Sequence, residues 1–183
     1  MKKWGLFGLY DLISLFLLPF FLLFIAGTWV LKPAWRPHMS QRFGDYSSGF
    51  FRDVQGKTVF WVHAASVGEV MMSRLFVQSL RMRYPEACIV FSTVTPTGQA
   101  AAREHLGDFA NLFIYFPFDF FWVVPSVVQK ISPSLFVFME TEIWPNCLKS
   151  LHAMGTPVVL ANGRISNSSF PRYKKLRPFL SQV

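Results

Sequence analysis

The stretch Trp61-Val62-His63-Ala64-Ala65-Ser66-Val67-Gly68-Glu69 decides the fold of this chain. It begins as an apolar run rich in β-branched and aromatic residues, ends in small residues, and then delivers one carboxylate, Glu69. Apolar positions recur at helical spacing after Glu69. The pattern predicts a strand, a tight turn and a helix with Glu69 in its first turn. On these residues alone, a carboxylate favoured by the helix dipole and a catalytic carboxylate explain Glu69 equally well.

The same alternation continues along the chain. Strands are predicted at 58–63, 87–94, 112–116, 134–139 and 157–161, and helices at 69–84, 98–106, 122–131 and 145–154. Alternating strands and helices predict an α/β fold, a Rossmann-like parallel sheet with helices on both faces. The strands are nearly continuous apolar runs, which is typical of a sheet buried on both sides.

Polar residues gather where the predicted strands end. In an open α/β sheet the carboxyl ends of the strands meet at one edge, and ligands bind there. Loops are usually solvent-exposed, which explains part of this polarity. Solvent exposure alone does not favour carboxylates beside the apolar residues Met139, Ile143 and Trp144. The residues expected at this edge are Ser66, Gly68, Glu69, Thr93, Thr95, Thr97, Gly98, Asp119, Glu140, Glu142, Asn162, Arg164 and Ser166.

An uncharged apolar run at 12–31 precedes the α/β pattern. It matches the roughly 20 residues that cross a bilayer, so residues 1–32 are predicted to be a membrane anchor. A cleaved signal peptide fits less well because the run is longer than a usual signal core. Pro19 would kink this helix and Asp11 lies at its start, so a tilted or partly inserted helix is an alternative to a straight span. More Lys and Arg follow the run than precede it, which favours a cytoplasmic globular part.

The formal net charge of +8 indicates an anionic binding partner, either membrane lipid or nucleic acid. Zinc-finger spacing and RNA-recognition signatures are missing, so membrane lipid is favoured over nucleic acid. Neither the two cysteines nor the four histidines have the spacing of a metal site. Residues 33–55 are interpreted as an irregular basic connector and 56–183 as the α/β domain. The basic clusters expected to face anionic lipid are Lys32, Arg36, Arg42 and Arg52, and Arg172, Lys174, Lys175 and Arg177.

Four segments carry a resemblance to a known family, and they occur in a fixed order behind the anchor. They are His63-Ala-Ala-Ser-Val-Gly-Glu69, Thr93-Val-Thr-Pro-Thr-Gly98, Met139-Glu-Thr-Glu-Ile-Trp-Pro-Asn146 and Asn162-Gly-Arg-Ile-Ser166. From about Arg42 onward the chain resembles the Kdo (3-deoxy-D-manno-octulosonic acid) transferases of lipopolysaccharide biosynthesis. The resemblance implies the acceptor-binding, Rossmann-like first domain of a two-domain GT-B glycosyltransferase.

The resemblance also implies a reaction and its site. Kdo would pass from CMP-Kdo, a donor substrate rather than a cofactor, to the lipid A precursor at the cytoplasmic face of the inner membrane, with inversion. Glu69 matches the proton acceptor of the family, and one base suffices because a phosphate leaves as a stable anion. Glu140 matches the carboxylate that stabilises the transition state, while Glu142 is the alternative that orients it.

The remaining residues of the resemblance are expected to bind substrate. Thr95, Thr97 and Gly98 begin a helix and offer groups for a phosphate or a sugar carboxylate, although an ordinary N-cap by Thr97 is the simpler explanation. Arg164 is expected to pair either with an anionic substrate group or with a nearby carboxylate. Glu140 alone is equally explained as a cap for the helix that begins at Pro145. Ser66, Gly68, Asn162 and Ser166 complete the set.

Three expectations concern what the chain does alone. It ends at Val183, before the second domain that would carry the CMP site, so the isolated chain is expected to be inactive. A membrane-anchored serine hydrolase is a rival, because 64–68 approximates a nucleophile elbow, with Asp119 and His152 later in the chain. A non-catalytic lipid-binding module is the third possibility.

Overall fold

The structure is a computed structural model and describes residues 5–140, 143–163, 170–171 and 174. One five-stranded sheet forms its centre, with all strands parallel in the order β3-β2-β1-β4-β5. The predicted Rossmann-like fold is confirmed, and each strand boundary lies within one residue of its predicted position. The strands are β1 (Val59–His63), β2 (Cys88–Thr93), β3 (Leu112–Tyr115), β4 (Leu135–Met139) and β5 (Val158–Ala161).

Helices cover both faces of this sheet. Between residues 5 and 163 they are α1 (Gly5–Leu31), α2 (Met39–Arg42), α3 (Val67–Arg83), α4 (Pro96–Leu106), α5 (Val124–Ile131) and α6 (Pro145–Ala153). The apolar residues of α3 and α4 form one core with Val62 and Phe91, and those of α5 and α6 form a second core with Trp61 and Phe136. Because successive strand residues point to opposite faces, Trp61 and Val62 belong to different cores. Burial on both sides explains why the strands carry almost no polar residues.

The order of the strands creates a crevice beside β1. The chain runs outward from β1 to β2 and β3, and then returns as β4 on the other side of β1. Within the β1–β4 pair, Trp61 lies opposite Phe136 and His63 opposite Phe138. Doubly wound sheets bind ligands at the carboxyl ends of the two strands where this direction reverses. Glu69 follows β1 and Glu140 follows β4, so both flank this crevice.

Residues 33–55 are part of the domain, so the interpretation as an irregular connector is wrong. They contain α2 and two short 3₁₀ helices, Pro33–Trp35 and Arg52–Val54. Phe51 and Val54 are buried in the core that includes α5 and α6. The side-chain carbonyl of Gln41 accepts the backbone N–H of Tyr115 at 3.2 Å. The buried apolar side chains of this segment pack it against the sheet, which composition alone did not reveal.

Helix α1 has one face on the domain and one face free. Its segment Phe7–Leu31 has the length and apolar character to cross a membrane, judged on length and composition alone. The Tyr10 hydroxyl donates to Asp119 Oδ2 at 3.1 Å, and Asp11 lies 3.8 Å from Lys149 Nζ. Phe21 packs edge-on against the rings of two loop phenylalanines. The other side of the helix leaves large apolar residues exposed: Leu12, Phe16, Phe20, Leu23 and Phe24.

Candidate active site

Glu69 is held by a reciprocal set of hydrogen bonds at the start of α3. Ser66 is the N-cap, and its Oγ accepts the backbone N–H of Glu69 at 3.4 Å. In return, Glu69 Oε1 accepts the Ser66 hydroxyl at 2.9 Å and Oε2 accepts the Ala65 backbone N–H at 2.9 Å. This is a capping box displaced by one residue on its carboxylate side. The first-turn position predicted for Glu69 is confirmed, and its catalytic role stays a prediction.

The carboxylate of Glu69 keeps acceptor capacity. An ionised carboxylate has about four lone-pair sites, and the described residues fill one on each oxygen of Glu69. The residue is only 8% exposed, so its orientation is fixed by the protein rather than by water. A group fixed in this way at the edge of a crevice is suited to accept a proton from a hydroxyl that enters the crevice.

Glu140 leaves β4 in a left-handed backbone conformation, with φ +57°. Its N–H donates to the carbonyl of Ala161 at 2.9 Å, so the turn is tied to the end of β5. Such a conformation costs an L-residue roughly 1–2 kcal/mol. The alternative in which Glu140 caps α6 is wrong, because the N-cap is Trp144 and the acceptors come from elsewhere.

Asn162 repeats this geometry on the next strand. It follows β5 directly with φ +54°, is exposed, and donates from Nδ2 to the sulfur of Met72 on α3 at 3.3 Å. Two neighbouring strands therefore end in left-handed residues with polar side chains, of which Glu140 bears the larger cost because Asn adopts this conformation more readily. Strained backbone of this kind is concentrated at functional sites.

The start of α4 lies against the loop that carries Glu69. Its N-cap is Thr95 rather than Thr97, because Pro96 occupies the first helical position and the cap precedes it. Thr95 Oγ1 accepts the N–H of Gly98 at 3.0 Å, so that N–H is already paired. A Cβ on Gly98 would lie 2.9 Å from Thr95 Oγ1 and 3.5 Å from the carbonyl of Ala65. The absence of a Cβ on Gly98 thus leaves room for the capping hydroxyl of Thr95, while the Thr97 hydroxyl stays exposed.

The structure brings most of the predicted site residues to one edge of the sheet. Glu142, Arg164 and Ser166 lie outside the described residues, and so does any ion pair that involves them. The residues that do meet at this edge are Ser66, Gly68, Glu69, Thr95, Thr97, Gly98, Glu140 and Asn162. They come from the ends of β1, β2, β4 and β5, as the parallel arrangement requires.

Asp119 has a different role from the one that its place after β3 predicted. It is buried, and its carboxylate accepts the backbone N–H groups of Asn146 at 2.9 Å and Cys147 at 2.8 Å, at the start of α6. Burial raises the pKa of Asp119 to about 7, against the effect of these bonds. Asp119 therefore caps α6 from another loop and also holds Tyr10. The signal available in the sequence was a helix start, Trp144-Pro145, without a capping side chain of its own.

The serine hydrolase alternative is wrong. Ser66 donates its hydroxyl to Glu69, and Asp119 is committed to the first turn of α6. His152 lies in the last turn of the same helix, so it cannot reach the Asp119 carboxylate at the opposite end. Ser66, Asp119 and His152 form no hydrogen-bonded triad in the described part of the chain, and such contacts are what define that chemistry.

His63 is a buried, hydrogen-bonded residue at the end of β1, next to the crevice. It is fully buried at the end of β1, and burial lowers its pKa to about 3, so the ring is neutral. Its Nδ1 lies 2.9 Å from Ser92 Oγ, which also accepts the indole N–H of Trp61 at 2.8 Å. Residues 5–140, 143–163, 170–171 and 174 contain no cluster of three or more side chains suited to hold a metal ion.

Comparison with known proteins identifies the family of this chain. The sequence model of the family described as 3-deoxy-D-manno-octulosonic-acid transferase (kdotransferase) matches residues 37–183. The chain belongs to this family. Among curated members of the Kdo transferase family, a 3-deoxy-D-manno-octulosonic acid transferase of Haemophilus influenzae is 34% identical over 165 residues, which cover 90% of this chain and 38% of the relative.

Two further relatives extend the comparison. The 3-deoxy-D-manno-octulosonic acid transferase of Chlamydophila psittaci is 32% identical over 121 residues, covering 66% of this chain and 28% of its own length. A bifunctional glycosyltransferase/methyltransferase of Fusobacterium nucleatum is 32% identical over 154 residues, covering 81% of this chain and 24% of its own length. The chain thus spans well under half the length of each of these three relatives.

Proposed function

We propose that this chain is the acceptor-binding, base-carrying N-terminal half of an enzyme that transfers Kdo from CMP-Kdo to the lipid A precursor. One observation carries the proposal. In a chain of the Kdo transferase family, Glu69 and Glu140 follow the two strands, β1 and β4, that flank the point where the sheet reverses its winding. This is where open α/β sheets bind their ligands.

Glu69 acts as the general base. The attacking hydroxyl of the acceptor sugar donates its proton to the carboxylate while its oxygen forms a bond to the anomeric carbon of Kdo. The bond from that carbon to the CMP phosphate oxygen breaks at the same time, and CMP leaves as an anion. The capping box orients the carboxylate before the acceptor arrives, so little reorganisation is needed in the transition state. Attack opposite to the leaving group inverts the anomeric centre.

Glu140 provides a negative charge for the positive character that develops at the anomeric carbon. A fixed carboxylate near such a centre stabilises the transition state more than the ground state. The backbone of Glu140 is fixed by its bond to Ala161. The exposed polar groups of Thr97 and Asn162 are left to orient the acceptor and the donor sugar. The reaction uses the donor CMP-Kdo and needs no cofactor.

The remaining parts of the proposal concern location and chain length. The exposed apolar face of α1 suits an anchor in the inner membrane, with the α/β domain on its cytoplasmic side. Because the chain spans 38% of the Haemophilus influenzae relative, the donor is expected to be bound with the help of a second domain. The isolated 183 residues are then expected to be inactive.

The test uses the full-length gene product in detergent with CMP-Kdo and the lipid A precursor. Mass spectrometry of the lipid should show the addition of Kdo, and release of CMP should match it one to one. NMR of the product should show an anomeric configuration opposite to that of the donor. CMP release without a modified lipid, or binding of the lipid without turnover in the full-length protein, would refute transferase activity. Turnover with retained configuration would refute only the mechanism.

A further inference from the structure

A cavity of about 360 Å³ lies between α1 and the loop that follows β3. Its wall on the α1 side includes Tyr10, Leu17 and Phe21, and its wall on the domain side is formed largely by aromatic rings. This volume falls in the lower part of the range of roughly 300–1,000 Å³ typical of small-molecule sites. Arg42 and Trp144 both line it.

Arg42 is a buried cation without a carboxylate partner. It is only 2% exposed, and within the described part of the chain no Asp or Glu oxygen lies within 4.0 Å of its nitrogens. Its Nη2 donates to the carbonyl of Val94 at 2.5 Å, and the guanidinium lies over the rings of Trp35 and Tyr115 at 4.8 and 4.3 Å. Burial lowers the pKa of Arg42 to about 10. Arg42, which the sequence grouped with the cations expected to face anionic lipid, is thus buried inside the domain.

Two donors of this cavity lack acceptors. The Nε–H of Arg42 and the indole Nε1–H of Trp144 are buried, and neither has a hydrogen-bond partner among the described residues. An unpaired buried donor is costly, and an unpaired buried charge more so. Asp119 shares the cavity, but its oxygens already accept three hydrogen bonds from Tyr10, Asn146 and Cys147. A ligand that satisfies both donors must bring acceptor oxygens, and a negative charge matches the guanidinium.

We propose that this cavity binds the phosphate of an anionic phospholipid from the membrane in which α1 lies, with Arg42 and Trp144 as donors. The membrane is the source because α1 forms one wall of the cavity and exposes an apolar face on its other side. A phospholipid therefore reaches the cavity without leaving the bilayer, and its hydrocarbon chains lie along Leu17 and Phe21. The mostly apolar lining suits the glycerol and the upper chain carbons better than it suits a free ion.

The site also links the lipid to the crevice. Val94, whose carbonyl holds Arg42, donates its own N–H to the carbonyl of Ala65 at 3.4 Å, in the loop that carries Glu69. Occupation of the cavity therefore fixes α1, α2 and the edge of the sheet relative to one another. The proposal rests on the proposed membrane location of α1 but not on the transfer reaction, because it concerns lipid binding alone.

The test is native mass spectrometry of the full-length protein in detergent, with phosphatidylglycerol and with diacylglycerol of the same acyl chains. Phosphatidylglycerol should be retained and diacylglycerol should not. Trp144→Phe keeps an aromatic ring but removes the indole N–H donor. Arg42→Lys keeps the positive charge but removes the Nε–H donor. Each variant should weaken phosphatidylglycerol binding about ten-fold, since a hydrogen bond to a charged group contributes that much or more. Trp122→Phe, an exposed tryptophan outside the cavity lining, is the matched control and should bind normally.

Several results would overturn the proposal. They are equal retention of both lipids, unchanged binding by Trp144→Phe, displacement of the phospholipid by millimolar inorganic phosphate, and binding confined to the lipid A precursor. The last two would assign the cavity to a free anion or to the acceptor instead. Thermal unfolding without lipid checks that each variant is folded. If Arg42→Lys does not fold, the result for Trp144→Phe alone tests the proposal.

Discussion

Glu140 combines a strained backbone with a carboxylate at the crevice, so its two properties can be separated by substitution. Glycine adopts φ +57° without the steric penalty that alanine retains. We expect Glu140→Gly to unfold with a free energy about 0.5–1 kcal/mol higher than Glu140→Ala, after allowance for the greater freedom of glycine in the unfolded chain. Both variants should lose Kdo transfer to a similar extent.

Denaturant unfolding in detergent measures the first effect and a transfer assay of the full-length protein measures the second. Equal stabilities of the two variants would show that the backbone is not strained. Near-native turnover by either variant would remove Glu140 from the mechanism.

Single residues differ in how far the sequence predicts them. Glu69 was predictable because strand, turn and helix follow one another locally and place it in a first turn. The left-handed conformation of Glu140 was not, since neither Glu nor its neighbours favour φ > 0. The burial and the partners of Asp119 and Arg42 were not predictable, because the partners are distant in sequence, 27 residues for Asp119 with Asn146 and 52 for Arg42 with Val94.

At the scale of elements, the N-terminal cap of α4 depends on one missing side chain. Gly98→Ala would place a Cβ 2.9 Å from Thr95 Oγ1 and so disturb the capping hydroxyl, while the carbonyl of Ala65, at 3.5 Å, would be in ordinary contact. We expect a loss of about 1–3 kcal/mol in the free energy of unfolding, as for other overpacked sites. Gly68→Ala is the matched control, because its Cβ would meet only Ser66 Oγ at 4.0 Å. Chemical denaturation measures both, and equal losses would contradict the close approach.

The cap of α6 by Asp119 predicts a dependence of stability on pH. The pKa of Asp119 is about 7 in the folded protein, against roughly 4 for an unfolded aspartate. Between these values the folded state retains a proton that the unfolded state has released. The contribution of Asp119 to the free energy of unfolding therefore falls as the pH rises from about 4 to about 7, and is constant above that.

Asp119→Asn isolates this effect, because His63, with its lowered pKa, makes an opposite contribution that both proteins share. The variant should lack the part of the free energy of unfolding that decreases between about pH 4 and pH 7 in the wild type. Thermal unfolding from pH 4 to 8 measures the difference. A wild-type minus variant difference that rises with pH would contradict the raised pKa.

At the scale of the whole molecule, periodicity predicted the elements but not their arrangement. Apolar runs alternating with helical patterns fixed the parallel sheet and its bounds to within one residue. The order β3-β2-β1-β4-β5, which puts Glu69 and Glu140 on neighbouring strands, follows from packing between distant segments. The position of α1 also follows from packing between distant segments, because Tyr10, Asp11 and Phe21 contact the α/β domain. Its hydropathy showed only that it was apolar.

The central claim is that Glu69, at the reversal of the sheet, takes the proton of the attacking hydroxyl. Glu69→Gln is the sharpest change, because glutamine still accepts the N–H of Ala65 and its own backbone N–H still reaches Ser66, although its amide nitrogen cannot accept the Ser66 hydroxyl. Ser66→Ala is its control. It removes the cap at a cost of about 0.5–2 kcal/mol in stability but leaves the base in place.

The deciding measurement is kcat for Kdo transfer by full-length Glu69→Gln, taken with its affinity for the lipid A precursor and its thermal stability. We predict a fall in kcat of about 10²–10⁴-fold with affinity and stability unchanged, while Ser66→Ala loses stability but keeps most of its turnover. A folded Glu69→Gln enzyme whose kcat lies within about ten-fold of the wild type would contradict the account.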